Sequence, residues 1–416
     1  MEYHADYMMT KTKIIATIGP STNKYKDLRD LHYAGMNVAR INMSHATHAD
    51  ALDIIQSIHK LNKRQSDNFG PLGILLDTQG PEIRTGINQS DIDLQAGDIV
   101  NLTVRDDIDV EISSIKINYK GLIKCVDKGS KISIDNGLIN FQVLAKDNEN
   151  LKCKVLDGGT LGSKRHVNLP GVRVDLPSIT KKDRKDINFG INHNVSFIAL
   201  SFVRSAGDVL TLRSILKRKK SAIKIIAKIE NQEGLDNIHE ITQAADIVMV
   251  ARGDLGIETD LADLPNIQRR IMYASAKWGR RSIVATHLLE SMINNPTPTR
   301  AEVTDVANAI YEGADAVMLS GETSVGKYPI QCIKMLKNIA SKTEYFRTLG
   351  YEKFLQDNSD WQNIAKGARD LAARINADAI VIITRSGQTA NVVSNTKPFR
   401  MPIYALTNNT LTCPQL

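Results

Sequence analysis

Cysteine and aromatic residues are scarce in this 416-residue sequence, and their scarcity excludes several classes of protein. The four cysteines lie far apart, with no CxxC pair and no His-paired spacing; they are Cys125, Cys153, Cys332 and Cys413. This spacing argues against a disulfide framework and a structural zinc site, and it fits a reducing compartment. Aromatic residues make up only 5% and accompany no basic run in an RNA-binding pattern, so we expect no nucleic-acid partner.

Long apolar runs are also absent. No run approaches the roughly 18 residues that a membrane-spanning helix needs, and the polar N-terminus, with Glu2 and Asp6, does not resemble a signal peptide. The sequence is 42% hydrophobic with a net charge of +7, which is too apolar and too balanced for a disordered chain. We therefore predict a cytoplasmic protein of two or three domains without membrane contact, whose modest positive charge suits anionic small substrates.

Eight short apolar runs recur along the chain, each followed by an amphipathic stretch. Continuous runs rich in isoleucine and valine are typical of parallel strands that are buried on both faces. The runs cover residues 12–19, 37–44, 72–80, 197–203, 223–231, 246–252, 282–288 and 316–323. Eight strand–helix units predict an α/β protein built on a (β/α)8 TIM barrel. A capping box at Thr299 and Glu302 predicts the start of the helix before the eighth strand.

Two segments do not fit this repeat. Residues 85–169 alternate apolar and polar positions between tight turns, which predicts an inserted small β-barrel domain of antiparallel strands that acts as a lid. The catalytic barrel would then comprise residues 10–84 and 170–341. Residues 342–416 predict a C-terminal α/β domain with a helix at 361–375 and strands at 379–384 and 402–407. A complete sheet would need more strands, so we expect this domain to be truncated.

Polar side chains follow the predicted barrel strands, at the end where the reactive groups of such barrels lie. Strand five ends with Lys228 and Glu230, which the period-two rule places on one face, and Asp254 follows strand six. The carboxylates of Glu230 and Asp254 can hold Mg²⁺ together with water and substrate oxygens. Lys228 and Arg40 can neutralise a transferring phosphoryl group. The pattern therefore indicates phosphoryl transfer.

Four further strand-end residues suit a different ion. Asn42, Ser44, Asp77 and Thr78 offer amide, hydroxyl and carboxylate oxygens with one negative charge, which fits a large monovalent cation better than a second dication. Taken singly, each strand-end group is also explained as a solvated side chain, and Lys228 with Glu230 as a structural ion pair.

One segment comes close to a phosphate-binding loop. The sequence GETSVGK at residues 321–327 satisfies GxxxxGK, but Tyr328 follows it and supplies no Mg²⁺-binding hydroxyl. We therefore do not expect a P-loop there.

These strand ends closely resemble the pyruvate kinase family. The sequence IIAKIENQEGL at residues 225–235 is similar to that family's signature around its catalytic lysine. Matching blocks extend the resemblance over nearly the whole chain; they are residues 12–20, 37–45, 76–86, 168–177, 249–258, 285–293 and 297–323. The resemblance implies the last step of glycolysis, in which phosphoenolpyruvate and ADP give pyruvate and ATP. It also implies Mg²⁺ (or Mn²⁺) and K⁺ as cofactors.

The same resemblance implies a role for individual residues. Lys228 would stabilise the phosphoryl group in flight and the enolate oxygen, and Arg40 would contact the phosphoryl group. The other implied assignments are Gly253, Asp254 and Thr286 for the substrate carboxylate; Glu230 and Asp254 for Mg²⁺; Asn42, Ser44, Asp77 and Thr78 for K⁺; Arg84, His45 and Lys164 for the nucleotide; and Thr286, Ser320 and Glu322 for protonation of the enolate.

A few positions carry further implications of the resemblance. Glu82 stands where a glutamate accompanies K⁺ dependence in the family, whereas a lysine there substitutes for the ion. His287 stands where glutamine is usual, and because it follows Thr286 we expect it to point to the opposite face. Ala46 stands where glycine is usual. The loop at residues 384–389 resembles the family's effector-phosphate loop, whose remaining site would lie beyond Leu416. The family implies a homotetramer.

Three alternatives stay open at this point. The early end of the third domain suggests a catalytically impaired or non-allosteric homologue. Another barrel enzyme acting on phosphoenolpyruvate or pyruvate, such as a carbon–carbon lyase, would share the Mg²⁺ carboxylates but would need neither Arg40, the K⁺ cluster nor a lid. A catalytically silent binding protein is the third, although every chemical residue is present.

Overall fold

The computed structural model describes residues 10–64, 70–88, 90–105, 114–357 and 359–416. The N-terminal positions Glu2 and Asp6, on which the signal-peptide argument rests, lie outside this range. Strands β1 (Lys13–Thr17), β2 (Val38–Asn42) and β3 (Gly73–Asp77) open the chain, with helices α1 (Tyr25–Ala34) and α2 (His48–Arg64) after the first two. The strands pair in parallel, and all five residues of β3 are buried.

The chain then leaves the barrel and forms a domain with its own sheet and core. Its strands are β4 (Ile92–Leu94), β5 (Ile99–Thr103), β6 (Ser114–Lys116), β7 (Lys131–Ile134), β8 (Ile139–Lys146), β9 (Asn150–Asp157), β10 (Gly159–Leu161) and β11 (Val167–Asn168), with the short helix α3 (Leu122–Cys125). The main sheet has the order β11-β7-β8-β9-β5-β6. Phe141 and Leu151 are fully buried in its separate apolar cluster.

This inserted domain departs from the prediction in two respects. Among the described residues its strands form a six-stranded sheet and a separate two-stranded sheet of β10 and β4, rather than the small closed β-barrel that the sequence predicts. Most of its strand pairs are antiparallel, as expected, but β5 and β6 pair in parallel. The tight turn between β7 and β8 has left-handed backbone at Asp135, Asn136 and Gly137, with φ values of 55°, 57° and 86°. Asparagine, aspartate and glycine tolerate that conformation, which is why this sequence marks the turn.

The chain returns to the barrel and completes it. The elements are α4 (Lys181–Asn192), β12 (Phe197–Leu200), α5 (Ala206–Arg218), β13 (Lys224–Ile229), α6 (Gln232–Asp236), α7 (Ile238–Ala244), β14 (Ile247–Ala251), α8 (Arg252–Glu258), α9 (Leu264–Lys277), β15 (Arg281–Ala285), α10 (Arg300–Tyr311), β16 (Ala316–Leu319), α11 (Gly321–Ser324) and α12 (Pro329–Thr343). Short 3₁₀ turns cover Leu261–Asp263 and Glu290–Ile293. The eight strands close in the order β1-β16-β15-β14-β13-β12-β3-β2, which confirms the predicted barrel. The capping box of Thr299 and Glu302 is formed at the start of α10.

Alternation along the strands divides the barrel core into two layers. Ile15, Leu75, Ile226 and Met249 belong to a small cluster inside the barrel. Their neighbours one residue away, such as Ile14 and Leu76, belong to the large cluster that also holds the helices. The same period of two places the next inward residues, one step higher on each strand, at the carboxyl end of the barrel.

A smaller α/β unit follows the barrel. After a 3₁₀ turn (Tyr351–Phe354) it contains α13 (Asp360–Arg374), β17 (Ile380–Ile383), α14 (Gln388–Ser394) and β18 (Ile403–Leu406), and a last 3₁₀ turn covers Cys413–Gln415. The two strands pair in parallel. Arg281 of β15 donates to the carbonyl oxygen of Asn391 at 2.8 Å, which ties the unit to the barrel. Among the described residues, no helix is both long and apolar enough to cross a membrane.

Candidate active site

The carboxyl ends of the barrel strands and the inserted domain together enclose a cavity of about 390 Å³. The barrel supplies Arg40, Asn42, Ser44, His45, Thr78, Gln79, Glu82, Arg84, Ser201, Phe202, Lys228, Glu230 and Asp254 to its lining. The inserted domain supplies Asp135, Asn136, Ser163, Lys164, Arg165 and His166. Ten of the residues predicted for the site therefore line one cavity, with Asp77 buried directly beneath it.

Lys228 is the centre of the cavity floor. It lies one inward step above Ile226 on β13, and its Nζ contacts Glu230 Oε1 at 2.9 Å, Asp77 Oδ1 at 3.3 Å and Ser201 Oγ at 2.9 Å. Burial works to lower its pKa, but the charges of Asp77 and Glu230 outweigh burial and raise the pKa. The side chain is therefore a fixed ammonium group.

Arg40 occupies the matching inward position on β2. Its Nε donates to Asp77 Oδ2 at 2.8 Å, and its Nη1 donates to Thr17 Oγ1 at 2.8 Å. Burial works to raise the pKa of Asp77, but the positive charges of Lys228 and Arg40 hold it below its ordinary value. Asp77 is thus an ionised carboxylate that fixes both cations in place.

Glu230, which is buried, and Asp254, which is half-buried, are a pair of carboxyl groups with raised pKa values. Burial and the neighbouring charge of Asp254 raise the pKa of Glu230 to about 7, against the attraction of Lys228. Burial, Glu82 and Asp77 raise the pKa of Asp254. The backbone N–H of Phe202 donates to Glu230 Oε2 at 2.6 Å and fixes its direction. Two nearby carboxylates that repel each other are a suitable environment for a dication.

The fit to Mg²⁺ follows from this donor set. Within the described ranges, no three His, Cys, Asp or Glu side chains are grouped as a closed metal cage. Mg²⁺ is usually held by one or two carboxylates, with water and substrate oxygens completing an octahedron. Glu230 and Asp254 in a polar cavity meet that requirement.

The predicted K⁺ ligands lie together, but three of them line the cavity and the fourth is bound to two cationic side chains. Asn42, Ser44 and Thr78 line the cavity. Asn42 Oδ1 accepts the backbone N–H of Ser44 at 3.1 Å, which holds the end of β2 in a tight turn. Asp77 is engaged by Arg40 and Lys228, so it contributes charge to this cluster from below.

The predicted nucleotide contacts also line the cavity: His45 directly follows Ser44, Arg84 lies where the inserted domain begins, and Lys164 belongs to that domain. Arg84 donates to Glu82 Oε2 at 2.7 Å and to the carbonyl oxygen of Lys164 at 2.8 Å. Gln79 also donates to Glu82, at 2.9 Å. His45, Arg84 and Lys164 thus add basic groups to the lining.

Besides Asp77, four predicted residues lie outside the cavity lining. Gly253 is the second residue of α8, and a Cβ added to it would lie 3.1 Å from Thr286 Cγ2, so the two segments are in close contact. Glu322 is buried and accepts the backbone N–H groups of Ser320 at 2.8 Å and Leu289 at 3.1 Å. The structure therefore brings Gly253 against Thr286 and Glu322 against Ser320, and none of the four lines the cavity.

Residues that the sequence argument did not single out complete the site. Ser201 links Lys228 to Thr78 by donating to the Thr78 carbonyl oxygen at 2.7 Å. Arg252 donates to the Thr286 carbonyl oxygen at 2.6 Å and pairs with Asp305 at 2.7 Å. Ser201 directly follows β12 and Arg252 directly follows β14, and this position after an apolar strand is the signal that could have identified them. His166 lines the cavity from the inserted domain and had no such signal.

The structure shows the positions of His287 and Ala46, the two residues that differ from those usual in the family. Strand β15 ends at Ala285, and both Thr286 and His287 have left-handed backbone, with φ values of 75° and 54°. Strand alternation therefore does not apply to them, and His287 is exposed beside Glu290. Ala46 donates its backbone N–H to the Asn42 carbonyl oxygen at 3.0 Å, within the turn after β2.

The two loop motifs are ordered by local hydrogen bonds. Residues 321–324 of the GxxxxGK segment form α11, and the Gly326 N–H donates to the Gly321 carbonyl oxygen at 3.0 Å. These residues form a helical turn, and the absence of a P-loop stays a prediction. In the predicted effector loop the Gly387 N–H donates to Thr384 Oγ1 at 3.0 Å, just before α14. An effector site there stays a prediction.

Comparison with known proteins gives matches over most of the chain. Residues 9–333 match the family model described as pyruvate kinase, barrel domain, and residues 362–416 match the one described as pyruvate kinase, alpha/beta domain. The chain is 44% identical over 415 residues to a pyruvate kinase of Staphylococcus epidermidis, covering 98% of the chain and 70% of the relative. It is 45% identical over 416 residues to that of Staphylococcus saprophyticus, with the same coverage. For that of Staphylococcus aureus the identity is 45% over 397 residues, covering 94% and 67%.

Proposed function

The chain belongs to the pyruvate kinase family, and on that premise we propose that its cavity transfers the phosphoryl group of phosphoenolpyruvate to ADP, giving pyruvate and ATP. The observation that carries the proposal is the buried array of Lys228, Glu230 and Asp77 beside Asp254. It offers a fixed positive charge and a pair of metal-binding carboxylates in one polar cavity, as phosphoryl transfer requires.

Substrate binding would use groups of both the barrel and the inserted domain. Arg40 and Lys228 would contact the phosphoryl group of phosphoenolpyruvate, and the backbone N–H groups of Gly253 and Asp254, with Thr286, would hold its carboxylate. Arg84, His45 and Lys164 would bind the phosphates of ADP. Binding both substrates in one cavity would hold a β-phosphate oxygen of ADP near the phosphoryl group, which lowers the entropic barrier to transfer.

The transfer step balances without any further reactant. The ADP oxygen forms a bond to phosphorus, the bond between phosphorus and the enol oxygen breaks, and its electron pair remains on the enolate. Lys228 stabilises the negative charge that develops on the transferring group and on the enolate oxygen. The lid domain, through Lys164 and its neighbours, would exclude water that could otherwise accept the phosphoryl group.

Glu230 and Asp254 would hold Mg²⁺ or Mn²⁺, and Asn42, Ser44, Asp77 and Thr78 would hold K⁺. When bound, these ions supply positive charge that offsets the negative charge of the phosphoryl oxygens. The presence of Glu82, which lines the same cavity, supports a requirement for K⁺ by the family resemblance.

Protonation of the enolate carbon completes the reaction. Thr286, with a water molecule, is proposed as the donor. Ser320 and Glu322 would serve this step from outside the cavity lining, since Glu322 anchors the backbone of Ser320 and Leu289. A homotetramer is proposed from the family resemblance alone.

The test is a coupled assay for pyruvate from phosphoenolpyruvate and ADP, with Mg²⁺ and K⁺. ADP-dependent turnover by the folded chain is expected, and its absence would refute the kinase assignment. Pyruvate formation that does not depend on ADP would instead indicate transfer of the phosphoryl group to water. The matches to pyruvate kinases over nearly the full chain favour the kinase over the lyase alternative and over a silent binding protein.

A further inference from the structure

Residues 166–169, which include β11 and are called the lid strand below, contact helix α8 through two side chains. His166 and Asn168 alternate along the segment of β11, so their side chains leave the same face. Asp254 and Glu258 are four residues apart on α8, so they also share a face. His166 Nδ1 lies 3.5 Å from Asp254 Oδ1, and Asn168 Nδ2 donates to Glu258 Oε1 at 2.9 Å.

The backbone that carries these two side chains is held on both sides. On one side His166 forms a β-bridge with Arg84, and the N–H of Val167 donates to the carbonyl oxygen of Ile83 at 2.9 Å. On the other side Val167 pairs with Ile134, and the His166 carbonyl oxygen accepts the N–H of Asp135 at 3.0 Å. The His166 ring therefore projects from a fixed support.

The surroundings of the ring direct it at the carboxylate pair. It lines the cavity and packs against the Phe202 ring, with 5.9 Å between the ring centres. The backbone N–H of the same Phe202 holds Glu230. His166 thus contacts one of the two residues proposed to bind Mg²⁺ and packs against the residue whose backbone holds the other, yet the proposed reaction gives it no task.

We propose that His166 and Asn168 are positioning residues, through which the lid strand orients α8 and the Asp254 carboxylate for the divalent cation. This inference rests on the proposed function, because it takes Asp254 as a ligand of that ion. Contact of Asp254 Oδ1 with His166 restricts the rotation of the carboxylate, which lines the cavity. Partners that orient a metal ligand in this way typically change metal affinity by about 10- to 100-fold.

A second consequence concerns Glu258. Its Oε1 also accepts the N–H of Leu169, at 3.3 Å, so the lid strand is bonded to the last turn of α8 by two hydrogen bonds. Asp254 is in the first turn of the same short helix. A displacement of the lid strand therefore moves both ends of α8. The affinity for the cation then depends on the position of the inserted domain as well as on the barrel.

The experiment measures binding of Mn²⁺ to the full chain without substrates, by the loss of the electron paramagnetic resonance signal of the free ion. His166→Ala should weaken binding by about tenfold or more. His166→Asn, whose amide nitrogen takes the place of Nδ1, should restore most of the affinity. Asn168→Ala should also weaken it. Thr160→Val is the matched control, because it removes a lid hydrogen bond to Asp93 of 2.7 Å that does not touch α8.

Activity supplies a second measurement. Excess Mg²⁺ should restore kcat of His166→Ala to near the wild-type value, because the defect lies in metal affinity. Equal Mn²⁺ affinity of His166→Ala and wild type would overturn the positioning role. If His166→Ala does not fold, the Mn²⁺ affinities of Asn168→Ala and Thr160→Val are compared instead. Equal affinities of these two variants would overturn the positioning role.

The two proposals fail separately. Turnover of phosphoenolpyruvate by the wild-type chain tests the proposed function, and Mn²⁺ binding without substrates tests the positioning role. A chain that makes pyruvate but binds Mn²⁺ equally well with and without His166 refutes the second proposal only.

Discussion

Lys228 and Glu230 are two residues apart on one strand, and their side chains form an ion pair of 2.9 Å on the cavity floor. The carboxylate that is proposed to hold the divalent cation therefore also holds the lysine that is proposed to act on the phosphoryl group. Substitution of either residue changes the charge around the other, and the two effects have to be separated by experiment.

Lys228→Met should lower kcat by at least about 10²- to 10³-fold, because it removes a fixed charge from the transferring group. It should also lower the melting temperature, since Glu230 remains buried without its cation and Asp77 keeps only Arg40. Steady-state kinetics and thermal unfolding measure the two effects. The double variant Lys228→Met/Glu230→Gln should regain stability without regaining turnover, and Lys217→Met on α5 serves as the control. Wild-type turnover by Lys228→Met would contradict the assignment.

Removal of K⁺ should reduce turnover, and Glu82→Lys should make turnover independent of K⁺. Glu82 lines the cavity and faces Arg84 and Gln79, so a lysine there would place a fixed ammonium group near Asn42 and Ser44. The measurement is the rate with K⁺ against the rate with tetramethylammonium. Equal rates of the wild type in both salts would refute the role of Glu82.

The contribution of Glu258 to stability should fall as the pH rises from 4.5 toward 7. Burial raises the pKa of this carboxyl group to about 7 in the folded chain, from an ordinary value of 4.5. A raised pKa means that the folded state prefers the protonated form, so stability is greatest below 4.5 and is lost as the group ionises. The melting temperature of Glu258→Gln relative to wild type should therefore increase over this interval. An unchanged difference between the two proteins would contradict the shift.

Glu322→Gln should affect stability more than chemistry. Its carboxylate accepts two backbone N–H groups, and the amide can accept both only with one oxygen. A bond to a charged acceptor contributes about 1.5–3 kcal/mol, so the melting temperature should fall by several degrees. The loss of kcat should stay well below the roughly 10²- to 10⁴-fold effect of a lost acid–base group. A loss of that size, without a change in melting temperature, would assign Glu322 to proton transfer.

The barrel could be predicted because its strands are buried on both faces and therefore read as continuous apolar runs. The inward direction of Lys228 followed from the same alternation, since Ile226 lies inside the barrel below it. The Arg40–Asp77 pair could not be predicted, because it depends on how β2 and β3 align: Asn42 stands opposite Asp77, and Arg40 reaches across from one step below. The alignment of two neighbouring strands does not follow from the sequence of either strand alone.

Thr286 and His166 show two other limits of the sequence argument. The left-handed backbone at Thr286 ends the alternation of β15, so the direction of its side chain does not follow from the strand pattern. His166 reaches the cavity only because the lid folds back over the barrel, which is a contact between distant parts of the chain. The parallel pairing of β5 with β6 likewise depends on long-range packing.

The cavity and the carboxylate beneath it carry charges in equal number: five basic side chains stand against five acidic ones, namely Arg40, Arg84, Lys164, Arg165 and Lys228 against Asp77, Glu82, Asp135, Glu230 and Asp254. A multiply charged phosphate therefore meets a nearly neutral surface, and so does a metal ion. The phosphate binds favourably chiefly when the metal ion is bound, and the metal ion binds favourably chiefly when the phosphate is bound. Such coupling is reciprocal: the factor by which the cations tighten phosphoenolpyruvate is the factor by which phosphoenolpyruvate tightens the cations. A dissociation constant for either one consequently has meaning only at a stated concentration of its companion.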